Sequence, residues 1–67
     1  MNKAPRFLIE YANYTIGEAE KLIKEYPHNT EIYHNAISKV DKAIFNYQYG
    51  YITVNEAMRE INEAFSN

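Results

Sequence analysis

Apolar residues recur by threes and fours along three stretches of this chain. In the first, Leu8, Tyr11, Ala12, Thr15, Ile16, Ala19, Leu22, Ile23 and Tyr26 form one stripe. That spacing places them on a single buried face of an α-helix. Pro5 suits a first helical turn, where a missing N–H costs nothing. Pro27 ends the helix, because the residue before a proline avoids the α region. The first helix is therefore expected over about residues 5–26, preceded by a frayed tail from Met1 to Ala4.

The second stretch carries Ile32, Tyr33, Ala36, Ile37, Val40, Ala43, Ile44 and Tyr47, a wide arc suited to a helix with two neighbours. Asn29 or Thr30 is placed to cap it, and it is expected over about 30–49. The third stripe is narrow: Val54, Ala57, Met58, Ile61 and Phe65, giving a helix over about 54–65. Between the last two helices, Gly50 stands where a left-handed residue stops a helix without Cβ cost. Thr53 with Glu56 three positions on makes a capping box, and Ile52 and Ala57 hold the staple positions. Short links favour antiparallel neighbours. The expected fold is all-α: a small three-helix bundle in one domain spanning residues 1–67, as a monomer or a homodimer.

Thr15–Glu25 (TIGEAEKLIKE) echoes Thr53–Glu63 (TVNEAMREINE), and the echo extends back to Phe7 with Phe45 and Tyr11 with Tyr49. Such self-similarity arises from duplication or from shared capping grammar. Were Thr15 also an N-cap, the first helix would split near Asn13. Ala12, at the position matching Gly50, cannot adopt the left-handed stop cheaply, and the stripe continues in phase. One long helix is expected, weakest at Thr15–Gly17, where β-branching and glycine coincide.

Composition narrows the function classes. A 67-residue chain forms one domain at most and buries only about 60% of its unfolded surface. Such chains draw stability from tight packing, staples or a partner subunit. With no cysteine, disulfides, thiolate chemistry and Cys-type zinc sites are excluded, and a reducing cytoplasm fits. MNKAPRF lacks the apolar core of a signal peptide, and no apolar run approaches the roughly 20 residues of a membrane span. The net charge of −2 has the wrong sign for nonspecific nucleic-acid binding. The wealth of Asn, Ile, Lys and Tyr hints at an AT-rich source, bacterial or phage.

Candidate chemistry is sparse. His34, Ser38 and Asp41 share a helical face, but a triad needs histidine between serine and the acid. Glu31 and His34 form one Glu-x-x-His pair, half of what a di-iron bundle requires; only a homodimer would double it. His28 reads as a loop histidine. Glu18, Glu20, Glu25, Glu56, Glu60 and Glu63 fit capping and i,i+4 pairing. Two glycines leave no phosphate loop. No catalytic residue, metal or cofactor is expected. The hairpin at Gly50 resembles a helix-turn-helix whose last helix offers Asn55, Arg59 and Asn62 to base edges, yet Glu56, Glu60 and Glu63 would face phosphates.

The aromatic residues carry the strongest signal. Phe7 and Tyr14 lie beyond the first helix's stripe, and Phe45 and Tyr49 lie off the second helix's arc. Gly17 faces outward one turn from Tyr14, where another backbone can approach closely. Exposed aromatics of this kind mark an interface, unless the core is wider than these arcs. The expectation is a non-catalytic, cytoplasmic regulator, adaptor or inhibitor whose partner is another protein or a second copy, bound through Phe7, Tyr14, Gly17, Phe45 and Tyr49. A DNA-binding regulator using helix 54–65 and a structural homo-oligomer are the alternatives.

Overall fold

A computed structural model describes residues 1–66. Among them the chain forms three α-helices packed against one another: α1 (Arg6–Glu25), α2 (Thr30–Gln48) and α3 (Val54–Asn62). A single 3₁₀ turn, Pro27–Asn29, reverses the chain between α1 and α2. The last helix lies chiefly on α2 and touches α1 less. Because it is less than half as long as its neighbours, the particle is long and flat, 37 × 21 × 16 Å. No described helix is long and apolar enough to cross a membrane.

The Gly50 turn follows the chemistry of its residues. Gly50 takes φ +79, and its N–H donates to the Tyr47 carbonyl while the Tyr51 N–H donates to that of Asn46. These paired bonds form a Schellman motif, which satisfies carbonyls that α2 would otherwise leave bare. The capping box is complete: the Glu56 N–H donates to the Thr53 hydroxyl at 3.1 Å, and the Thr53 N–H to the Glu56 carboxylate at 2.9 Å.

Several expected details differ. Pro5 is the N-cap, with extended backbone, so α1 begins at Arg6. The start of the chain is tied down: the Asn2 N–H donates to the Gln48 carbonyl at 2.6 Å, and Ala4 packs on the core. Neither Asn29 nor Thr30 caps α2 with its side chain, since the Thr30 hydroxyl turns back to donate to Pro27. The last helix stops at Asn62, short of Phe65, and a turn carries the chain onward. Thr15 caps nothing. α1 runs through it, and its buried hydroxyl donates to the Tyr11 carbonyl one turn back, the i−4 bond open to a mid-helix threonine.

The core is narrower and smaller-grained than the arcs implied. Among the described residues, Leu8, Val40 and Ile61 are the only fully buried large side chains, and six alanines (Ala12, Ala19, Ala36, Ala43, Ala57, Ala64) with Thr15 make up the rest of the buried set. Small side chains let helices approach closely, but each removes little apolar surface from water. Tyr26, Ile32 and Phe65, expected inside, lie exposed. Ile16, Ile44 and Tyr47 pack half-buried at the core's margin.

Candidate functional site

The five residues singled out as an interface are all exposed; three lie on α1 and two at the end of α2. On α1, Tyr14 borders a groove against α3 that is lined by Tyr11, Thr15, Ile61 and Phe65. Phe7 stands two turns earlier on the same helix. Gly17 faces open space: a Cβ built there meets nothing within 4 Å. The helix therefore uses no close approach of its own backbone at this position.

On α2, Phe45 projects away from the bundle, about 200° around the helix from buried Ala43 at 100° per residue. Tyr49 follows one turn on, its ring 4.4 Å from that of Phe45. Tyr51, beyond the reversal at Gly50, stacks on Tyr49 at 6.2 Å and 25°. Three rings thus form a continuous ladder at the end of α2. Tyr51 escaped the reading of the helical stripes because it belongs to no helix. Its position immediately after the left-handed glycine was the available signal, since that residue folds back over the helix end. No aromatic pair joins this ladder to Phe7 or Tyr14 among the described residues.

The polar constellations stay apart. His34, Ser38 and Asp41 are exposed, and no hydrogen bond joins them. Glu31 and His34 are also exposed, and no group of three or more potential metal ligands gathers among the described residues. Asn55 and Arg59 face solvent, while the Asn62 carboxamide is engaged by Tyr11 at 2.9 Å.

Of the glutamates expected in caps and pairs, Glu56 alone is held, by its cap. Thr53 keeps its carboxyl below the ordinary value, first through the backbone N–H and then through the side chain, with Arg59 adding to the effect. Glu18, Glu20, Glu25, Glu60 and Glu63 make no ion pair, and Arg6–Glu10 is the one salt bridge among the described residues. Exposed pairs gain little over the entropy of holding two long side chains. Glu60 and Glu63 instead share an open groove with Lys39 and Lys42 of α2. No family model, no curated protein and no solved structure matches this chain.

Proposed function

We propose that this protein is a small, non-catalytic binding module, a regulator, adaptor or inhibitor that acts by covering part of another protein with its aromatic side chains. One observation carries the reading: of ten aromatic residues, none is buried, while alanines fill the centre. Aromatic rings supply large contact area at low entropic cost, and they concentrate where partners meet. Phe7, Tyr14 and Gly17 serve on α1, and Phe45 and Tyr49 at the end of α2. The absence of cysteine accords with a cytoplasmic place of action.

The test is capture of a partner from source cells by the wild-type chain, then by Phe7→Ala and Phe45→Ala variants whose helical circular dichroism is intact. A partner held by the wild type and lost by either variant supports the reading. At a hot spot the loss corresponds to about 1–3 kcal/mol. Variants that unfold would show these rings to be structural. A low-salt electrophoretic shift abolished by Arg59→Ala would replace this reading with DNA binding through α3.

A further inference from the structure

We infer that the ladder of Phe45, Tyr49 and Tyr51 is the docking surface for a second copy of this chain. The inference rests on reading the aromatics as a binding surface, and it names the occupant of one part of that surface.

The first argument is charge. From Ala43 to Asn55 there is no charged residue, in a chain where 24% of residues are charged. Across a twofold axis each group near the axis meets its own image, so a charge there repels itself. A patch selected for a foreign protein draws specificity and approach rate from complementary charges, and the segment that carries the three rings offers none. Its polar groups suit self-pairing instead. The hydroxyls of Tyr49 and Tyr51 are each donor and acceptor at once. One turn before Phe45, exposed Asp41 and Lys42 bound the charge-free segment, Lys42 on the side of the groove it shares with Glu60 and Glu63.

The second argument is area. Phe45, Tyr49 and Tyr51 are 51%, 50% and 71% exposed, which at roughly 200 Å² per aromatic residue leaves about 340 Å² of these three residues open. A standard interface covers about 800 Å² on each partner, about two thirds of it apolar in homodimers. Fully covered, these three residues supply at most roughly two thirds of that apolar share. The ladder is also already ordered by its own stacking, so little rotamer freedom remains to be lost on docking.

The experiment is sedimentation equilibrium on the purified chain, diluted from about 500 µM to about 1 µM, a range that brackets a dimer of this modest area. A monomer–dimer equilibrium is expected. Phe45→Ala and Tyr51→Ser should each raise its dissociation constant about tenfold or more, as hot-spot residues do, and Tyr26→Ser, at an exposed ring at the far end of α1, should leave it unchanged. Tyr51 lies outside every helix, so its variant keeps the test valid if Phe45→Ala unfolds. A monomer throughout overturns the inference, as does a dimer weakened by Tyr26→Ser and indifferent to the ladder variants. Neither result touches a foreign partner captured through Phe7 or Tyr14, so the inference and the reading beneath it fail separately.

Discussion

The Tyr11 hydroxyl donates to the Asn62 carboxamide oxygen at 2.9 Å, the one side-chain to side-chain hydrogen bond between helices among the described residues. It ties the end of the shortest helix to α1, the sparsest of the three helix pairings. Being exposed, the bond competes with water, so its net contribution is modest. Tyr11→Phe should cost about 0.5–1.5 kcal/mol, read as a lowered urea midpoint with an unchanged slope. No change would mean that α3 is held by its apolar face alone.

The reciprocal cap at Thr53 and Glu56 makes stability depend on pH. Folding lowers the Glu56 pKa, so its contribution is full above the unfolded-state value. It is lost as pH falls through the lowered value of the folded state. Glu56→Gln preserves the box, because glutamine can make the same return bond, and removes the titrating group. Comparing urea midpoints at about pH 6 and about pH 3, the wild type should lose more than the variant. Equal losses would place the acid sensitivity elsewhere.

The two glycines should respond oppositely to alanine. At Gly50 the φ of +79 penalises any Cβ although space exists, the nearest atom lying at 3.6 Å; about 1–2 kcal/mol should be lost. At Gly17, mid-helix and open, alanine should add about 0.5–1 kcal/mol. Thermal melts of both variants check the signs. If a partner's backbone rests on Gly17, the same Gly17→Ala change should weaken capture while raising the melting temperature.

These glycines also mark how far the sequence could be read. Gly50, Thr53 and Glu56 act through the local backbone, so their spacing was enough to locate the turn and the cap. The three stripes likewise gave the helices and their inward sides. Depth was not legible. Periodicity says which side of a helix faces the core, not how near the next helix lies, and that distance depends on the alanines of all three together. Hence Ile32 and Phe65 were expected inside and lie outside. The Asn2 tether was hidden for a related reason: it joins residues 46 positions apart through backbone atoms that every residue possesses.

Leu8, fully buried at the meeting of the helices, should be the most sensitive position. Leu8→Ala should cost about 2–5 kcal/mol, against a total of about 3–10 kcal/mol for a chain of this length. Circular dichroism at 25 °C should show a large unfolded fraction or a sharply lowered denaturant midpoint. A loss under 1 kcal/mol would show that the alanine-filled centre collapses around the gap.

The alanine-filled centre also shapes how the chain meets heat. Unfolding raises heat capacity mainly by wetting apolar surface, by about 12–15 cal/mol/K per residue in ordinary domains. Here the aromatic residues are already partly wet before unfolding begins, so an isolated chain should fall at or below about 0.8 kcal/mol/K. Its stability curve is correspondingly flat and its melt broad. Covering the rings restores the missing increment, so calorimetry registers occupancy of the ladder as a steepening of the curve.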